Sequence, residues 1–367
     1  LPTLALIIMS SFSILAARNI TLSLFDIAMY GKMLIFFLYL ANNIRDNRDV
    51  GLVVTALLFG LVMESGVMVA QYYSGSALGL VGTEELSNFV AYKREARMVL
   101  RPGGTVGNVN GFARYLGFIL PIASILMLTT RERKMFLLSL LAAMGGLVAL
   151  ILTQSRSVWG AFLVAMMAGM VFILMRNLVT LRTLKRIGMA LLLVAGLAFF
   201  YGETVYNRLT GDDHGSAKSR LTTARVALEI INDHPVLGVG VNNYDSYIRE
   251  YWRIEDPFTK VAVVHNNYLL ILAEIGLIGF AAFLWLLAAL LVRTMTAMKC
   301  RVKFFREIAV GLFVSVVCFL LASLADGYKS SLTLMYLFWT IAAITEALIH
   351  LDRSWRDQAV ELAGKKS

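Results

Sequence analysis

The feature that most constrains this chain is a series of apolar runs, several approaching 20 residues, that recurs along most of its length. As a helix, such a run spans about 30 Å, the thickness of a bilayer's hydrocarbon core. Backbone polar groups find no water there, so only helices and closed barrels are stable in it. A barrel strand alternates apolar and polar residues over roughly ten positions, and these runs do not alternate. Composition agrees: 58% of residues are hydrophobic and 16% are charged, against about a quarter charged in soluble domains. The sequence therefore predicts an all-α polytopic membrane protein with about ten transmembrane helices. They lie near 2–17, 25–41, 50–72, 111–129, 135–153, 158–175, 187–202, 266–292, 307–325 and 332–350.

Orientation follows from where Lys and Arg fall in short loops. Alternate loops at 42–49, 130–134, 176–186 and 293–306, with the tail 351–367, hold 18 of the 34 basic residues. That side is expected to be cytoplasmic. The short loops opposite hold only Arg18, Arg156 and Lys329. The formal charge of +10 is thereby explained by topology and gives no reason to expect nucleic acid; membrane lipids are the expected surroundings. Four regions follow. Residues 1–202 carry the N-terminal spans, with an outer segment at 73–110. Residues 203–265 form a large outer loop, 266–350 the C-terminal spans and 351–367 a basic cytoplasmic tail.

Both long segments fall on the outer side, where function is to be sought. In the first, residues 84–100 (EELSNFVAYKREARMVL) predict an interfacial helix. In the second, Leu221, Ala224, Val226, Ala227, Ile230 and Ile231 recur near helical spacing. His234-Pro235 should stop that helix, because a residue before proline disfavours the α region. Gly238 and Gly240 then permit a tight turn.

Several polar residues sit at the ends of spans on this outer side. Arg156 lies in the TQSRS hinge with Gln154, Ser155 and Ser157; a charge beside the bilayer core points to function, or else to snorkelling toward lipid phosphate. Arg220 and Arg225 lie on different faces of the predicted loop helix, and guanidinium forks suit phosphate oxygens. The stretch VAVVHNNYLLILAEIGLIGF opens a span with His265, Asn266 and Asn267. An imidazole exchanges protons near neutral pH, while the two asparagines could cap the helix or bind a sugar or phosphate. Glu274, nine positions after His265, would point to the opposite face of a continuous helix. Gly276 and Gly279 are expected to allow close helix packing. Glu64, Lys32, Arg114 and Glu346 also fall within or beside spans, with partners undetermined.

No Walker A loop, dinucleotide fingerprint, HExxH or CxxC is present. Asp212-Asp213-His214 is the densest metal-like group and reads better as a turn between glycines. Cys300 and Cys318 make no disulfide framework. No metal and no cofactor are expected.

These motifs, in this order, resemble the bacterial O-antigen ligase and polymerase superfamily. His265-Asn266, nine residues, Gly276, two residues and Gly279 match one family motif. Ser155-Arg156 after a span matches a second. Arg220, 14 residues before His234-Pro235-Val236-Leu237-Gly238-Val239-Gly240, matches a third. GGTVGNVNGFARY resembles the family's entry to a span. The resemblance covers about 100–290. Ala224 departs from it, because many members carry an aromatic residue there. Members commonly have about twelve spans, so ten imply truncation or a reduced form.

The resemblance implies a membrane-embedded glycosyltransferase of the bacterial inner membrane with its active site facing the periplasm. The donor would be a glycan on undecaprenyl diphosphate. The acceptor would be a lipid A core sugar in a ligase, preferred here, or another lipid-linked glycan in a polymerase. His265, Arg156 and Arg220 would be catalytic, with Asn266, Asn267, Arg225, Ser155 and Gln154 binding substrate. A lipid-linked oligosaccharide transporter is the reading from another class. It would need ionisable groups along a path and often repeated halves, whereas the charges here gather at one face.

Overall fold

The computed structural model describes the chain except residues 81–91, 95–96, 100, 176–177, 212–215, 253–261, 326–330 and 365–367. The expected interfacial helix is corrected where it is described. Tyr92–Arg94 (β1) and Arg97–Val99 (β2) pair antiparallel, with Tyr92 opposite Val99; tyrosine and valine favour extended backbone. Its residues 84–91 lie outside the described residues, as do Asp212, Asp213 and His214.

The helices are α1 Pro2–Ser13, α2 Ile20–Asn43, α3 Asn47–Ser74, α4 Val109–Thr129, α5 Arg133–Thr153, α6 Arg156–Met175, α7 Leu181–Thr210, α8 Ser216–Asp233, α9 Tyr244–Tyr251, α10 Asn267–Ala297, α11 Lys303–Ala322 and α12 Leu332–Gly364. Nine of these, α2 to α7 and α10 to α12, are long and apolar enough among the described residues to cross a membrane. The chain is a polytopic α-helical membrane protein. The first expected span is a shorter apolar helix over Pro2–Ala16. Several edges moved, most at two helices. α7 continues to Thr210, and α12 runs through most of the predicted tail to Gly364. Helical backbone keeps its own hydrogen bonds in water as in lipid, so hydropathy alone does not mark where a helix stops.

The chain divides into two compact units. Unit one comprises Leu1–Tyr39, Asp212–Val292 and Ser323–Trp339; unit two comprises Leu40–Gly211, Arg293–Ala322 and Thr340–Ser367.

Unit two is built around α4, whose apolar window is 100% buried and which packs on α3, α5, α6 and α11. Asn108 caps it, accepting from the backbone N–H of Asn110 (2.9 Å) and Gly111 (3.0 Å). Small residues let the helices approach. A Cβ at Gly311 would stand 3.1 Å from Ile122 Cα, and one at Gly117 would stand 3.4 Å from Cys318 Sγ. Ser315 Oγ donates to Phe118 O across this contact at 2.6 Å. The Phe118 and Phe319 rings stack at 5.0 Å beside it.

Unit one gathers a smaller core from α8, α9 and the start of α10: Val226, Ala227, Ile230, Val239, Tyr244, Tyr247, Ile248, Val264, Leu270 and Ala273. The buried stripe of α8 is Val226, Ala227 and Ile230, close to expectation. Leu221, expected on that stripe, is exposed.

Candidate functional site

In unit one the helix α8 ends as the proline predicts, with His234 N–H donating to Ile230 O at 3.0 Å. The loop from Pro235 to Gly240 then docks on α10. The geometry there explains the motif spacing. Gly276 has φ 64° and ψ −174°, so α10 breaks at that residue. In a continuous helix Leu277 N–H would donate to Ala273 O, four residues back. Here both groups are released and both are satisfied by the loop. Leu277 N–H donates to Pro235 O, and Val239 N–H donates to Ala273 O, each at 2.9 Å. Buried backbone groups left unmet would cost about 1–3 kcal/mol each, so loop and break require one another.

Two glycines make the approach possible. A Cβ on Gly276 would overlap the Val236 carbonyl oxygen, and one on Gly238 would lie 2.5 Å from the Glu274 carbonyl carbon. The expectation that Gly276 serves close packing of regular helices is thus refined: its partner is a loop, and its own backbone is not helical.

His265 sits in a bend two residues before α10, half-buried, with the buried Val264 just before it. The expected helical offset between His265 and Glu274 therefore does not apply, since His265 lies outside the helix. Glu274 is buried, 4% exposed, about two turns into α10 beside Gly238. Asn266 is the cap. Its Oδ1 accepts from Tyr268 N–H (2.9 Å) and Leu269 N–H (3.0 Å), and its Nδ2 donates to Leu324 O (3.0 Å). Asn267 is fully buried, and its N–H donates to Ser323 O at 2.9 Å. Among the described residues its side-chain amide meets no hydrogen-bond partner. Arg220 and Arg225 are both exposed on α8.

A strap missed by the sequence reading ties α9 to the link between α1 and α2. Arg18 forms a bidentate pair with Glu250, donates to Ser246 O at 3.2 Å and stacks over the Tyr247 ring at 3.7 Å. Fully buried Asn243 accepts from Asn19 N–H at 2.7 Å and donates to Ser23 Oγ at 2.9 Å. Arg18 appeared as one of few basic residues on its side, but pairing over more than 200 residues leaves no local signal.

In unit two the TQSRS hinge is a two-residue turn. Gln154 caps α5 in the left-handed region, φ 53°, and α6 begins at Arg156. Gln154 and Ser155 are buried and Arg156 is half-buried. Trp159 folds back, its Nε1 donating to Leu150 O at 2.7 Å. Two arginines that the sequence reading did not single out hold this turn. Arg101 Nε donates to Thr153 O at 2.8 Å, and Arg208 Nε donates to Gln154 O at 3.0 Å. Arg101 is buried, 5% exposed.

The undetermined pairs resolve within the units. Glu64 accepts from Thr105 N–H at 3.1 Å and from its hydroxyl. Arg114 Nε donates to Asn110 O at 3.1 Å. Lys32 lies over the Tyr336 ring at 5.4 Å. Glu346 pairs with Arg293. No group of three or more metal-ligating side chains occurs among the described residues.

Comparison with curated proteins finds no match. Residues 140–284 match the family model described as O-antigen ligase. That stretch contains Ser155-Arg156, Arg220, the loop from His234 to Gly240 and the motif from His265 to Gly279. The break in α10 joins the last two of these by paired backbone hydrogen bonds, and the match over 140–284 supports the O-antigen ligase and polymerase superfamily.

Proposed function

We propose that this protein, a member of a glycosyltransferase-type family, transfers a glycan from undecaprenyl diphosphate to a sugar hydroxyl of lipid A core, at the periplasmic face of the bacterial inner membrane. The observation that supports the proposal is the docked break in α10, with Val264, Leu270 and Ala273 of the segment before it packed in the core of unit one beside His265 in sequence. A general base must be held in place to be effective.

The reaction is a single displacement with inversion. The acceptor oxygen forms a bond to the anomeric carbon while the bond from that carbon to the diphosphate oxygen breaks. The electron pair leaves with the diphosphate, and the acceptor proton passes to His265. Arg156 and Arg220 bind the diphosphate and stabilise the charge that grows on it. Arg225, Gln154 and Ser155 add further contacts to substrate. Asn266 and Asn267 contribute through the cap and interior of α10, keeping His265 at its mouth. The leaving group is already good, so electrostatic help matters more than protonation, and no metal is called on.

The test is the purified protein in liposomes with a lipid-diphosphate-linked glycan and lipid A core, the product read by mass spectrometry. A glycan joined to the core supports the ligase. A lengthened lipid-linked glycan would make the protein a polymerase. Leaflet exchange without a new glycosidic bond would make it a transporter.

A further inference from the structure

The turn between α5 and α6 asks for an explanation that the motif does not supply. Ser155-Arg156 is recognisable from sequence, but what aims Arg156 is not. The preceding residue pair is strained: Gln154 holds φ 53°, a region that glycine or asparagine enters more readily than glutamine. Thr153 is the last residue of α5, and Thr153 and Gln154 present carbonyls beyond the reach of the helix's own donors. Arg101 takes one and Arg208 takes the other, each through Nε. They arrive from 52 and 54 residues away. Arg101 comes from the segment before α4 and Arg208 from the last turn of α7. Cations at a helix C-terminus also meet the negative end of its dipole. Three guanidinium-bearing residues, Arg101, Arg156 and Arg208, thus belong to one short turn, and two of them are anchored to its backbone.

The geometry points to Arg101 and Arg208 as positioning residues that lock the left-handed turn at Gln154 and so hold Arg156 toward the donor's diphosphate. The inference rests on the reading of Arg156 as a diphosphate ligand. Arg101 and Arg208 act through the carbonyls of Thr153 and Gln154. A lysine keeps the charge but has no planar Nε–H to offer at that distance. Glycine at position 154 removes the strain that the two arginines restrain.

The experiment uses the full chain in liposomes with the lipid-diphosphate-linked glycan and acceptor. R101K, R208K, Gln154→Gly and the two combined variants R101K/Q154G and R208K/Q154G are compared with the parent. A misplaced binding group costs on the order of tenfold to a hundredfold. The expected result is a rise of about that size in the donor KM for R101K and R208K, with the acceptor KM unchanged. The effect of each lysine should shrink in the Q154G background. Equal losses in both backgrounds would mean that the arginines touch substrate directly, which overturns the positioning role. Unchanged donor KM in both lysine variants also overturns it. Hydrogen exchange of the peptide covering 150–160 gives an answer independent of transfer: faster exchange there in R101K and R208K, with α4 unchanged, supports the lock. If the parent makes no glycosidic bond and this exchange pattern still appears, the enzymatic reading fails while the lock stands. Unchanged exchange at 150–160 removes the lock itself.

Discussion

Unit one carries His265 and Arg220 and unit two carries Arg156, and within each unit the surroundings of these residues are held by different physics. In unit one the backbone does the work: a break in α10 and a glycine-bearing loop exchange two main-chain hydrogen bonds. In unit two side chains do it, with guanidinium groups reaching over 50 residues to the carbonyls of a turn. The first device requires residues without a Cβ, at fixed spacing, and so leaves a motif in the sequence. The second requires only an arginine that can reach, from any suitable position, and leaves none.

The contrast is most sharply tested at glycines. Gly276→Val adds a side chain where even a Cβ overlaps Val236 and where φ and ψ belong to glycine. A loss of more than about 3 kcal/mol is expected from strain and the broken loop contacts, read as a collapse in thermal stability in detergent and loss of transfer. A stable, active Gly276→Val would show that the docked loop does not hold unit one together.

His265→Ala separates chemistry from scaffold. His265 lies outside α10, so folding should persist while transfer falls about 10²–10⁴-fold, the usual contribution of a general base. His265→Gln should not restore turnover. Near-parent activity in the glutamine variant, across pH, would remove the proton-transfer role.

Asn243→Ala tests whether unit one also depends on side-chain anchoring. Its buried amide links Asn19 and Ser23, and removing it should cost about 1–3 kcal/mol. Hydrogen exchange should rise at 17–25. A change confined to 240–250 would mean that the strap carries no load. By contrast, Gly160→Ala in unit two meets nothing within 4 Å on an exposed face of α6. It should be neutral or stabilise by up to about 1 kcal/mol, read as an unchanged or slightly raised melting temperature.

The smallest effect is expected at Arg18 and Glu250. The hydrogen bond from Arg18 holds the Glu250 carboxyl below its ordinary range. A depressed carboxyl contributes above the unfolded value of about 4.3 and loses its contribution as pH falls through the lower folded value. The pair is exposed, so the gain is small. Exchange at 17–23, corrected for intrinsic rate, should rise slightly as pH falls through the lowered value of that carboxyl in the parent and be pH-independent in Glu250→Gln. A parent profile identical to that variant's would show that the ion pair does not tether α9.

Much of the molecule was legible before any coordinates. Apolar runs located the nine helices that, among the described residues, are long and apolar enough to cross a membrane, because lipid forces each segment to satisfy its own backbone. His234-Pro235 marked the end of α8 to the residue. The misses share a cause. The expected helix over 84–100 became a strand pair, Tyr92–Arg94 with Arg97–Val99, where it is described, since short amphipathic segments carry no signal strong enough to choose between periods. α7 and α12 ran past the ends of their expected apolar spans. Arg208 was therefore assigned to a loop when it is the last turn of a helix.

His265, Arg156 and Arg220 were candidates through the family resemblance; by itself, the sequence determined the class of fold and the order of the motifs. It did so because bilayer burial and glycine-dependent backbone geometry are local requirements written at fixed spacing. Only the tertiary structure decided that Gly276 breaks its helix, that the loop from Pro235 to Gly240 fills the break, and that Arg101 and Arg208 brace the turn before Arg156. Those contacts form between segments far apart in the chain, and hydrogen bonds to backbone carbonyls do not depend on the identity of the residue that supplies them.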